Sequence, residues 1–166
     1  MPNWCEGNIR VRGTYIKIVK FFRENLKALK YDKKGTIQDI PVTVREDSDY
    51  YTVIRKPDDD CQDEFWINGT NRQFINAKEI ELVDCSDDEF QEIIICIDGF
   101  KGAWSIDLEH FGPMAEKYGV DIKIFGFERG IQFAELAEFR RDGTVCEKTV
   151  RYNDWDWECP CPNLGG

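Results

Sequence analysis

The sequence predicts an α+β fold: an antiparallel sheet with two helices on one face and a strand-rich insertion. Three observations carry that expectation. A period-two strand opens the chain, an amphipathic helix follows it at once, and three hairpin-linked strands lie toward the C-terminus. The 166 residues suit one domain, and a chain of about that length buries roughly 70% of its unfolded surface.

The first strand reads Asn8-Ile9-Arg10-Val11-Arg12-Gly13, apolar and basic in strict alternation, which is the signature of a half-buried strand. Gly13 breaks it, and the Thr14 hydroxyl is placed to cap a helix. The spacing then predicts a helix over residues 14–30. Tyr15, Val19, Phe22, Leu26 and Leu29 form one apolar stripe, widened by Ile18 and Phe21. Lys17, Lys20, Arg23, Lys27 and Lys30 form a second, positive stripe.

The middle of the chain is read as short strands and acidic turns. Residues 36–45 and 50–55 flank the turn Glu46-Asp47-Ser48-Asp49. An acidic loop (Asp58, Asp59, Asp60, Cys61, Gln62, Asp63, Glu64) follows Pro57. Phe65-Trp66-Ile67 forms a brief strand, residues 79–83 another, and Asp87-Asp88-Glu89 a further acidic turn. The unbroken run Ile93 to Ile97 predicts a central strand over residues 92–100.

A short helix is expected after Trp104-Ser105, with Phe111, Met114, Ala115 and Tyr118 at helical spacing. Pro113 either kinks it or marks where its regular part begins. Strands over 120–127, 131–140 and 144–152 are joined by turns at Glu128-Arg129-Gly130 and Arg141-Asp142-Gly143. Two βαβ-like halves around an antiparallel sheet give a ferredoxin-like sandwich. It forms a single domain over 1–152, with an insertion at about 35–92 and an irregular tail over 153–166.

The opening MPNWC, with Asn8 and a strand ending Val11-Arg12-Gly13, resembles the start of the Api92-like/YubB family of ferredoxin-like domains. Later residues are similar to that family too. Ala103-Trp104-Ser105 precedes a helix ending Glu116-Lys117-Tyr118, then a strand, then a hairpin running Phe127-Glu128-Arg129-Gly130-Ile131-Gln132-Phe133-Ala134. The likeness covers the first 25 residues and residues 95–152, and the middle carries no match. The chain departs from the pattern at Ile106-Asp107, where prolines are common. The resemblance implies an accessory protein of phages, plasmids or other mobile elements, and supplies no catalytic residue to carry over.

Composition narrows the function classes. Net charge is −10, which disfavours simple wrapping of nucleic acid. The charge is uneven: residues 1–34 hold nine Lys/Arg against three Asp/Glu, and the remainder 13 against 29. No apolar run approaches the roughly 20 residues that span a bilayer. The opening residues carry neither basic leader nor apolar core, so no signal peptide is expected. The seven cysteines are odd in number and irregularly spaced, which suits reduced thiols in a bacterial cytoplasm.

No cofactor or metal is expected. Cys159-Pro160-Cys161 is too tight for a zinc pair, and the single histidine, His110, is distant in sequence. The 58–64 run lacks the alternation and glycine of a calcium loop. Asp107, Glu109 and His110 could serve as acid and base, yet carboxylates also gather at helix starts because the dipole favours them. No enzyme is expected. Phe125 and Phe127 share one strand face and Phe133 and Phe139 another. Such aromatics stack on bases in RNA-binding sheets, but core packing is the simpler reading.

Two binding surfaces remain. Asp58, Asp59, Asp60, Asp63, Glu64, Asp87, Asp88 and Glu89 are candidates for contact with a basic, nucleic-acid-handling host protein, in the manner of a nucleic-acid mimic. The alternative is a nucleic-acid site on Lys17, Lys20, Arg23, Lys27 and Lys30. Trp4, Cys5 and Trp104 are read as structural.

Overall fold

The computed structural model describes residues 3–31, 37–55 and 64–166. Strand β1 (Trp4–Thr14) runs through the middle of the main sheet and buries Cys5, Ile9 and Val11 on one face. Helix α1 (Tyr15–Asn25) follows without a break. Thr14 takes the extended cap conformation, but its hydroxyl makes no capping bond. The helix buries Tyr15, Ile18, Val19, Phe21 and Phe22.

The expected continuation of this helix to residue 30 is corrected. The chain turns extended at Leu26, whose N–H bonds Phe22 O, and the Asn25 side chain donates to Phe21 O at 2.7 Å. Residues 26–31 then form strand β2 (Leu26–Tyr31). Leu26 and Ala28 are buried while Lys27 and Leu29 are partly exposed, so this segment follows a period of two.

Six short strands and one long one follow: β3 (Ile37–Asp39), β4 (Val42–Glu46), β5 (Tyr50–Arg55), β6 (Glu64–Ile67), β7 (Gln73–Asn76), β8 (Glu79–Val83) and β9 (Glu92–Ala103). Helix α2 (Leu108–Tyr118) comes next, then β10 (Asp121–Glu128), β11 (Phe133–Phe139), β12 (Val145–Arg151) and the four-residue helix α3 (Trp155–Glu158). The main sheet is antiparallel, in the order β12-β11-β10-β1-β9-β7-β6-β2-β3, and β4-β5-β8 form a second sheet.

The ferredoxin-like two-helix α+β sandwich is thereby corrected to a mostly-sheet architecture. Among the described residues nine strands make one sheet, three make another, and the helices span only 11, 11 and 4 residues. Residues read as the end of a helix contribute β2, and the middle of the chain adds β3, β6 and β7 to the main sheet.

The core lies between the main sheet and α1 and α2. Phe111 packs against Phe100 and Phe139 with ring centroids 6.5 and 5.5 Å away, and Phe21 meets Tyr118 edge-on at 5.5 Å. Helix α2 starts at Leu108 and runs through Pro113, which removes the reading that begins it at the proline. The second sheet joins the same core through Tyr51, Val53, Ile80 and Leu82. The expected aromatic pairs divide by face: Phe133 and Phe139 are buried in this core. Phe127 is buried on the opposite face beneath Trp155, and Phe125 packs beside it. The tail holds that position through Trp155 Nε1, which donates to Pro162 O at 2.6 Å, and through backbone bonds between Trp4 and Gly166.

Close packing of β1 requires glycine at one point. A Cβ on Gly7 would lie 1.8 Å from Phe125 O on the neighbouring strand. At the far end of the same strands, Asp121 gathers two arginines. Its carboxylate accepts Arg12 Nη2 at 2.7 Å, and Arg141 Nε and Nη2 at 3.1 and 3.0 Å, while Arg141 also pairs with Glu92. Burial pushes the Asp121 carboxyl up, but the arginine bonds outweigh it and hold it well below the usual range. A carboxyl depressed on folding contributes stability above its unfolded value and loses it as pH falls through the folded one. Asp121→Asn is therefore expected to cost about 2 kcal/mol at neutral pH. In urea titrations the gap to the parent protein should narrow once pH drops below about 4.

Candidate functional site

The carboxylates of two separate sequence runs meet at one end of the second sheet. The β4–β5 hairpin is closed by Asp47 N–H bonding Tyr50 O at 2.9 Å, with Ser48 N–H on Asp47 Oδ1 at 2.7 Å. Strand β5 then pairs antiparallel with β8, Tyr50 opposite Val83. One step beyond that pair, Asp84 N–H donates to Asp49 O at 2.8 Å. This bond sets the 46–49 turn against the loop after β8.

The loop is held by its own acidic residues. Asp84 Oδ1 accepts Ser86 N–H at 2.9 Å and Ser86 Oγ–H at 2.6 Å. Asp88 Oδ1 accepts the N–H groups of Phe90 and Gln91 at 2.8 and 3.0 Å. Asp47, Asp49, Asp87, Asp88 and Glu89 are left exposed. Glu46 is bonded by Arg23 of α1, whose guanidinium also stacks over Tyr51 at 5.3 Å. Exposed apolar groups sit among the carboxylates: Tyr50, Val83 and Phe90, the last 81% exposed. Exposed charge around apolar side chains is the make-up of a protein-binding surface with a polar rim.

The sequence candidates fall unequally on this end. Asp87, Asp88 and Glu89 belong to it. Asp58, Asp59, Asp60 and Asp63 lie outside the described residues. Glu64 stands elsewhere, at the start of β6, where its largely buried carboxylate accepts Lys101 Nζ at 2.8 Å. Asp47 and Asp49 join the end only through the pairing of β5 with β8. The alternation of Glu79–Val83 signalled β8, but Tyr50–Arg55 does not alternate, so no sequence signal paired the two strands.

The positive stripe does not stay whole. Lys17, Lys20 and Arg23 are exposed on α1, while Lys27 lies on β2 with Asp39 at 3.9 Å. The side chain of Lys30 lies outside the described residues. Arg23 is committed to Glu46, and Lys17 Nζ lies beside Gly119, the C-cap of α2. A cation there opposes the negative end of the helix dipole.

Asp107 and His110 do come together. Asp107 caps α2, accepting the N–H groups of Glu109 and His110 at 3.2 Å and of Asn71 at 2.6 Å. The same carboxylate lies 2.8 Å from His110 Nδ1. Burial pushes Asp107 up, but the Asn71 amide and the His110 ring outweigh it and keep it low. His110 is raised, first by its bond to Asp107. Glu109 contributes only its backbone to the cap and points its side chain to solvent. Four roles for one carboxylate fit a helix anchor, and no nucleophilic side chain is bonded to the His110 ring among the described residues.

Neither a family model, nor a curated protein, nor a solved structure matches the chain. Among the described residues no helix is long and apolar enough to cross a membrane.

A histidine raised on folding contributes stability below its unfolded value and loses it as pH climbs through the folded one. His110→Gln should therefore destabilise the protein most at about pH 5.5, by under about 1 kcal/mol given solvent screening of the exposed ring. The difference should narrow as pH climbs above about 6.5 in matched thermal unfolding series.

Proposed function

We propose that this chain is a non-enzymatic binding protein that presents the acidic end of its second sheet to a basic protein surface. The observation that carries the reading is the Asp84–Asp49 backbone bond, at 2.8 Å, which joins two acidic runs into one surface. Carboxylates grouped this way raise the rate of association with a positively charged partner and fix its orientation. Tyr50, Val83 and Phe90 supply apolar contact within the charge. Proteins that hold a nucleic-acid backbone carry the complementary basic groove, so a nucleic-acid mimic is the form of binding that suits this surface.

The resemblance to Api92-like/YubB proteins extends the proposal to its setting. The chain acts as an accessory protein of a mobile element in the cytoplasm of a bacterial host, and inhibits a host defence or nucleic-acid-handling protein. Direct nucleic-acid binding through α1 has less to support it, because Arg23 is taken up by Glu46 and Lys27 lies on a different element.

The test is capture from nuclease-treated bacterial lysate at low salt, comparing the parent protein with Asp47→Asn, Asp49→Asn, Asp87→Asn and Asp88→Asn combined. The amide oxygens can still accept the turn bonds made by Asp47 and Asp88, so the loops keep their shape. Basic nucleic-acid-handling proteins should be retained by the parent alone and released between about 50 and about 200 mM salt. Equal retention by the variant, or retention of nucleic acid only, would remove the proposal.

A further inference from the structure

The last strand of the main sheet, β12, ends the strand order and is exposed at all seven residues. Among the described residues no strand pairs with its far edge. Val145–Arg151 has no proline and its pairing with β11 runs without a bulge, so the edge is guarded only by the charges of Glu147, Lys148 and Arg151. Edges of this length and regularity pair with other strands unless something prevents it.

The direction of the backbone groups follows from the ladder. Arg140 N–H donates to Thr144 O at 2.8 Å and Tyr152 N–H to Gln132 O at 2.9 Å, bracketing the register Phe139 opposite Val145 through Phe133 opposite Arg151. In an antiparallel pair, hydrogen-bonded positions alternate. The even residues of β12 therefore bond β11. The N–H and C=O groups of Val145, Glu147, Thr149 and Arg151 point to the open side.

We propose that this edge pairs with the β12 of a second copy of the chain, about a two-fold axis through Thr149. A two-fold axis normal to the sheet keeps each side chain on its own face, so odd residues meet odd residues. Centred on Thr149, the pairing sets Glu147 opposite Arg151 of the partner copy twice over, and Lys148 opposite Val150 of the partner copy. Moving the axis to Lys148 sets lysine against lysine, and moving it to Glu147 sets carboxylate against carboxylate, both unfavourable. Of the registers centred on residues 145–151, the one on Thr149 alone sets opposite charges of the strand against each other twice, and in it every outward backbone group of Glu147, Thr149 and Arg151 finds a partner. The two main sheets become continuous.

The test is sedimentation velocity on the full chain between about 1 and about 300 µM, the range in which weak protein contacts dissociate. A reversible monomer–dimer equilibrium is expected. Glu147→Arg alone and Arg151→Glu alone each place like charges opposite one another, and should each weaken the dimer about tenfold or more. An equimolar mixture of the two single variants should dimerise, because their charges again complement. Thr149→Pro removes an outward N–H but no bond to β11, and should give a monomer with an unchanged far-ultraviolet circular dichroism spectrum. A parent protein that stays monomeric throughout overturns the proposal. So does a dimer indifferent to the charge exchanges, or a mixture of single variants that fails to associate. Should the proline variant unfold, the charge exchanges still decide.

Discussion

The double pairing of β1 is the constraint on which the other elements depend. The strand is registered residue by residue with β9 from Trp4 to Thr14 and with β10 from Cys5 to Arg12, so its backbone is committed on both sides. Ile9 and Val11 are fully buried beneath the helices, a burial worth roughly 1.5–3 kcal/mol for each side chain. The register shift between Gly7 and Asn8 is taken up by Gly99, which holds a positive φ of 81°. Beyond it, Phe100 returns to the buried face, where Phe111 of α2 packs on it. A slip of one residue in β1 would turn Ile9 and Val11 outward and Arg10 and Arg12 into the core.

The second sheet is tied to this frame through α1 and through Arg55, whose guanidinium donates to Glu64 O of β6 at 3.0 Å and to Leu29 O of β2 at 3.4 Å. Tyr15 donates its hydroxyl to Leu82 O at 3.1 Å, and Arg23 reaches Glu46 while lying over Tyr51. The basic face of α1 thus acts in part as the seam that holds an acidic surface to the body. That accounts for the two opposed charge patterns of the sequence within one arrangement. The positive residues near the N-terminus are partly spent inside the molecule, whereas the carboxylates of residues 47–49 and 87–89 remain at its surface.

Elements with a local code were legible in the sequence. The alternation of residues 8–13 gave β1, and the Asp142-Gly143 turn gave the β11–β12 hairpin, where Gly143 indeed has positive φ. The boundary of α1 was hidden because Leu26, Lys27, Leu29 and Lys30 satisfy a helical period, whereas the strand buries Leu26 and Ala28 and turns Lys27 and Leu29 to the other face. Only pairing with β6, Leu26 opposite Ile67, decides between them. The overall class was misjudged for the same reason, since β2, β3, β6 and β7 are short strands fixed by partners distant in sequence. Both runs of the acidic end were visible as turns rich in Asp and Glu. Its assembly was not, because the Asp84–Asp49 bond follows from the long-range register of β5 with β8. Glu64 looked like part of an acidic loop, and its burial against Lys101 depends on β7 and β9 lying together.

The central claim is that the acidic end is a fixed surface, built by β5–β8 pairing on a frame held by β1. Amide hydrogen exchange read residue by residue by NMR tests it most directly. The N–H of Asp84 should be protected to the same degree as the β5–β8 ladder, with the amides of Ile9 and Val11 among the slowest to exchange. Free exchange at Asp84 beside a protected β5 would mean that the two acidic runs are not held together, and would contradict the account.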